Sequence, residues 1–229
     1  MDNDNIVDKI LGMVPPDLLG ASGSLLYSGR DAFSGSSPLY LMGINPGGDP
    51  DELVQSSIHS DTDWMLRDRP ANWSRYRDES WGPGAAPGTW KMQPRVLHLL
   101  NRLGLDPGEV PSSNLIFVRS RREADLARDH MTSMAEACWP FHQAVIERLG
   151  VRVVVCFGGT VSGFVRGKLG ANQETDRFVE VNKRNWTSRT FRAPSGLTVV
   201  QATHPSIADW CNPNTDVSDL VARALLAAA

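Results

Sequence analysis

The chain has 229 residues, 41% of them hydrophobic and 21% charged, with a formal net charge of -3. That length suits one α/β domain spanning 1–229, and the acidic balance excludes a protein that coats nucleic acid non-specifically while allowing local grip on a few phosphates. The three cysteines, Cys138, Cys156 and Cys211, are far apart, so no zinc or iron–sulfur spacing is present.

In chain order, residues 5–19 read as a short helix stopped by Pro15-Pro16. "PLYLMGI" (38–44) is a brief apolar run between Pro and Gly, the pattern of a buried strand, and it runs into "NPGG". A phosphate loop is not expected there, because the glycines are not followed by Lys-Ser/Thr. Residues 45–91 read as a long Pro-, Gly- and Trp-punctuated loop, a length that points to function. Val96, Leu99, Leu100 and Leu103 mark one face of a helix over 93–105, closed by Gly104.

"SSNLIFVRS" (112–120) is a second strand, followed by the basic run Arg119, Arg121 and Arg122. A helix is expected over 125–150 with a break at Pro140. "VRVVVCFGG" (151–159) is a third, fully buried strand, and Thr160 is a candidate cap for the helix after it. Residues 177–193 alternate loosely, as in a hairpin, and carry Lys183, Arg184, Arg189 and Arg192. "LTVVQATHPS" (197–206) is a fourth strand, and a final helix is capped by Asp216 or Ser218. Strands alternating with helices predict a parallel sheet covered on both faces, with ligands bound beyond the carboxyl ends of its strands. The chain opens on an acidic segment without a signal-type apolar stretch, and a cytoplasmic location and a monomer are the expectations.

Four strand ends then stand out in order: "GINPGG", "SSNLIFVRS", "CFGG" and "THPS". Together they resemble the uracil-DNA glycosylase superfamily over residues 37–226. "GINPG" is similar to the first motif of the mismatch-type and single-strand-selective branches, and "THPS" to the second motif of the family-1 and family-4 branches. The resemblance implies a three-layer α/β/α sandwich with a central four-stranded parallel sheet. It implies a monofunctional enzyme that hydrolyses the N-glycosidic bond of uracil in DNA, with no metal and no cofactor. The mixed motifs leave xanthine, hypoxanthine and ethenocytosine open as further substrates. Two other readings stay open: a catalytically weak module that binds damaged bases, and an unrelated nucleoside or nucleotide hydrolase.

Carried over residue by residue, Asn45 matches the group that holds the attacking water, and His204 the donor to uracil O2. Asn114 matches the reader of the uracil edge, and the backbone at Gly43 and Ile44 lies against the base. The ring expected under the base, a dozen residues after the first motif, is replaced here by Ser57 and Ile58, so Tyr76 and Trp81 are the candidates. DNA contacts are expected from Pro46, Gly47, Gly159, Thr160, Ser206, Arg119 and Arg121. Ile207 and Trp210 are expected as apolar wedges that fill the gap left by a flipped base.

Overall fold

The computed structural model describes residues 9–51, 56–121 and 128–228. The sequence expectations for residues 5–8, Arg122 and residues 125–127 lie outside them. The architecture is α/β around one six-stranded mixed sheet in the order β2-β1-β3-β6-β5-β4. The strands are β1 (Leu39–Gly43), β2 (Ser112–Asn114), β3 (Val153–Phe157), β4 (Gln173–Val179), β5 (Thr187–Arg192) and β6 (Thr198–Ala202). Strands β2, β1, β3 and β6 are mutually parallel, with Gly43 beside Asn114, Met42 beside Cys156 and Phe157 beside Ala202.

The expected four-stranded parallel sheet is therefore corrected to six strands. The loosely alternating segment is a hairpin, as its pattern suggested, but β5 also pairs antiparallel with β6 and so joins the sheet. The alternation is weak because β4 is the outer edge strand and mostly exposed.

The β3 strand shows why the parallel strands sit centrally. All five of its residues are buried, and each large apolar side chain there contributes about 1.5–3 kcal/mol relative to exposure. Alternate residues face opposite sides, as a pleat requires. Tyr40, Met42, Val154 and Cys156 belong to one core, and Leu39, Leu41, Val153, Val155 and Phe157 to another. Helix α3 (Gln93–Arg102) and helix α6 (Ser218–Ala227) cover the second core, while α4 (Arg128–Leu149) and α5 (Gly159–Leu169) cover the first. Two shorter helices, α1 (Ile58–Asp63) and α2 (Arg75–Asp78), stand in the region expected to be loop. A π-helical turn, Trp64–Asp68, follows α1 directly.

Three local expectations change. The second strand is only Ser112–Asn114, and residues after it hold the structure through isolated bridges, Gly23 with Val118 and Gly47 with Ser120. Helix α4 runs through Pro140 without a break. Pro140 and Glu136 are both exposed, so the carbonyl that loses its helical partner faces water. Thr160 does not cap α5: Gly158 does, at φ +102°, a conformation that a side chain would strain. At the last helix Asp216 Oδ1 accepts from the Ser218 N–H at 2.8 Å.

Helix α4 also carries a fully buried histidine. His142 Nδ1 accepts from the Tyr40 hydroxyl at 2.8 Å, and its Nε2 donates to the Leu115 carbonyl at 3.2 Å. Burial lowers its pKa to about 4, so the ring is neutral and locks α4 to the segment just after Asn114.

Candidate active site

A cavity of about 1600 Å³ opens at the carboxyl ends of the parallel strands. Gly43, Ile44 and Asn45 line it after β1, Asn114 at the end of β2, Phe157 to Val161 after β3, and Gln201 to Ile207 (except Pro205) after β6. Three side chains expected to do chemistry, Asn45, Asn114 and His204, thus share one cavity.

Each is held in a definite way. Asn45 Nδ2 donates to Ser120 Oγ at 2.8 Å, to the Pro46 carbonyl at 3.1 Å and, longer, to the Val118 carbonyl at 3.4 Å. Its amide hydrogens are committed, and Oδ1 remains as an acceptor. His204 Nδ1 accepts the Ser206 N–H at 3.0 Å. That bond places the proton of the neutral ring on Nε2, leaving a donor there. Phe157 supports the imidazole edge-on, with centroids 6.2 Å apart.

Asn114 is buried at 6% exposure, and its Nδ2 makes no hydrogen bond of good geometry within the protein, the Tyr27 hydroxyl being the neighbour its amide acts on. A buried amide held this loosely leaves hydrogen-bonding capacity that a ligand can complete. Its Oδ1 lies directly over Gly43, where any Cβ would collide with it. Gly43 is thus glycine because the carboxamide of Asn114 occupies the space of its side chain.

An aromatic wall forms one side of the cavity. Tyr76, expected as a ring under a ligand, lines the cavity but at 3% exposure presents little of its ring there. Tyr27 packs on it with centroids 5.6 Å apart, and Trp81 stands edge-on to Tyr27 at 6.1 Å. Both Tyr27 and Trp81 keep partly exposed rings on the cavity. Burial pushes the Tyr27 hydroxyl up, with the Arg75 guanidinium and the Asn114 amide acting the other way.

Arg75 is buried below these rings. It meets Asp61 at 2.6 Å and Glu79 at 3.0 Å, and donates to the Leu26 carbonyl at 2.9 Å. Burial pulls its pKa down, but the two carboxylates outweigh that and hold the guanidinium charged.

The expected DNA-contacting residues divide. Gly47, Gly159, Thr160, Ser206, Ile207, Arg119 and Arg121 line the cavity. Pro46 is buried and instead offers its carbonyl to Asn45. Arg121 is engaged by Asp49, at 2.8 Å, and Asp51, at 3.4 Å, so its charge is largely neutralised locally. Trp210 is corrected: it is fully buried against Phe157, and its Nε1 donates to the Thr203 carbonyl at 3.1 Å. It cannot act as a wedge without emptying part of the core. Ile207, by contrast, is 53% exposed at the cavity.

Tyr27, Asp61, Arg75 and Trp186 belong to the site although no motif marks them, and Ser120, the last residue of "SSNLIFVRS", joins it through Asn45. Among the described residues, no group of three or more His, Cys, Asp or Glu side chains is placed to hold a metal ion. No described helix is long and apolar enough to cross a membrane. No known family model matches the chain, and no curated protein matches it in sequence.

Proposed function

We propose that the protein is a monofunctional DNA glycosylase of the uracil-DNA glycosylase superfamily, built as a three-layer α/β/α sandwich whose sheet is widened by a hairpin. The observation that carries this reading is the convergence of Asn45, Asn114 and His204 on one cavity, with no well-formed hydrogen bond made by Asn114 Nδ2. A flipped uracil completes the hydrogen bonding of Asn114. Its O4 accepts from Asn114 Nδ2, and its O2 accepts from His204 Nε2. Cytosine presents an amino group at the first of these positions and leaves the amide unpaired, so it is rejected.

The reaction follows from the same groups. The C1′–N1 bond breaks with its electron pair going to the base, so negative charge gathers at O2, against the His204 donor. Water held by Asn45 Oδ1 then bonds to C1′ of the oxocarbenium-like sugar, and its proton leaves to solvent. A carboxamide is a poor base, but such a cation needs little nucleophilic assistance.

The test is to incubate single- and double-stranded uracil-containing oligonucleotides with the protein and then treat them with alkali. Strand cleavage after alkali, and none before it, is expected. Tight binding with no cleavage would leave a base-binding module, and turnover of free nucleosides alone would point to a nucleoside hydrolase.

Gly43 gives a second check. In Gly43→Ala the new methyl group displaces the Asn114 carboxamide. Base release is expected to fall by about 10- to 100-fold, as for loss of a well-placed polar contact. Discrimination against cytosine should weaken with it. A variant that keeps both wild-type rate and wild-type discrimination would remove Asn114 from the recognition step.

A further inference from the structure

The mouth of the cavity carries two exposed apolar side chains from different segments. Ile207 follows His204 in the loop after β6. Trp186, 39% exposed, stands at the tip of the β4–β5 hairpin. Both line the cavity. One residue couples them: Arg184 stacks on the Trp186 ring, its Cζ 4.1 Å from the centroid, and donates through Nη1 to the Ile207 carbonyl at 2.7 Å.

The tip is built to be rigid. Glu180, 2% exposed, pairs with Arg184 at 3.1 Å and accepts from Asn182 Nδ2 at 2.8 Å. Asn182 Oδ1 in turn accepts the Arg184 N–H at 2.8 Å and the Asn185 N–H at 3.3 Å. Asn185 takes φ +51°, the left-handed conformation that Asn tolerates in a tight turn. The hairpin is also fastened to the loop behind it. Ser188 Oγ accepts the Thr203 N–H at 2.9 Å, and the Val181 N–H reaches the Asn214 carbonyl at 2.9 Å. Lys183 stands exposed on the same turn.

A large aromatic ring with a cation on it, fixed at low entropic cost beside a pocket for a planar base, suits the stacked bases and phosphates of a nucleic-acid strand. We propose that the hairpin tip is a strand-binding element: Trp186, backed by Arg184, stacks on a base neighbouring the one in the cavity, and Lys183 faces the adjoining phosphate. This rests on reading the cavity as a base pocket. It adds a contact from the antiparallel part of the sheet, outside the four strand-end motifs.

The probe is a fluorescently labelled single-stranded DNA, and a duplex, each carrying one uncleavable abasic-site analogue. Affinity is measured by anisotropy for the wild type, Trp186→Ala and Trp186→Phe, with thermal melts confirming the fold of each. Trp186→Ala is expected to weaken binding by about tenfold, in the range for loss of one base–aromatic stack, and Trp186→Phe to recover most of it. Unchanged affinity in Trp186→Ala overturns the proposal, as does a wild type that binds neither DNA. A loss in Trp186→Phe equal to that in Trp186→Ala overturns the stacking role. Base release from a uracil oligonucleotide is scored in parallel. Release with no effect of Trp186→Ala on binding removes the hairpin contact alone. Binding that depends on Trp186 without any release keeps the contact and removes the glycosylase reading.

Discussion

Replacing His204 by Ala is expected to lower the rate of uracil release by at least 100-fold. The warrant is the timing of charge. In the bound base O2 is an ordinary carbonyl, and it becomes anionic only as the C1′–N1 bond breaks. A donor fixed in advance therefore stabilises the transition state more than the ground state. Loss of one such donor elsewhere costs about 10²–10³ in rate. The donor is fixed here because the Ser206 N–H occupies Nδ1 and Phe157 supports the ring. The measurement is single-turnover release with excess enzyme, so that weaker DNA binding does not enter. The melting temperature should change little, since the ring lies at the cavity and not within either core. A His204→Ala rate within threefold of wild type would end the transition-state role given to this residue.

The second large effect concerns acid. His142 has a pKa of about 4 in the folded protein, against about 6.5 in an unfolded chain. Its folded value is the lower one, so the unfolded state takes up the proton first as pH falls. The stability it contributes is complete above about pH 6.5 and is lost as pH drops from there toward 4. The difference of about 2.5 units corresponds to about 3 kcal/mol. Urea denaturation at pH 7.5 and pH 4.5 measures it, with His142→Gln as the comparison, since carboxylates also titrate toward the lower pH. The wild type should lose about 2–3 kcal/mol more than the variant over that interval. Equal losses in both proteins would mean that His142 does not titrate with folding.

Much of the site was legible because the parallel strands announce themselves. Apolar runs mark the buried strands, Gly43 closes the first just before Asn45, and His204 follows the fourth, whereas Asn114 was expected near the start of a longer strand and instead ends a short one. The sheet geometry then brings them to one cavity. The hairpin's membership in the sheet was not legible, because the β5–β6 pairing depends on a partner strand and not on local pattern. Trp210 misled for a related reason. A tryptophan in a polar loop carries no local sign of burial, and only the packing of α6 and Phe157 reveals it. Tyr27 sits in a Gly- and Ser-rich segment with no period at all. Arg75 and Asp61 are 14 positions apart, so their buried pair has no helical spacing to betray it.

The contact between Gly43 and Asn114 has a consequence for how such a site changes over time. Two neighbouring strands share one side-chain volume, and the residue at 114 fills it. The two positions therefore act as a single inherited unit. A side chain at 43 pushes the carboxamide at 114 out of its place, and loss of that carboxamide removes the demand for glycine at 43. Effects of substitution at the pair are non-additive for the same reason. On the proposed function, a change of base preference through this wall is thus a two-step path whose middle is impaired.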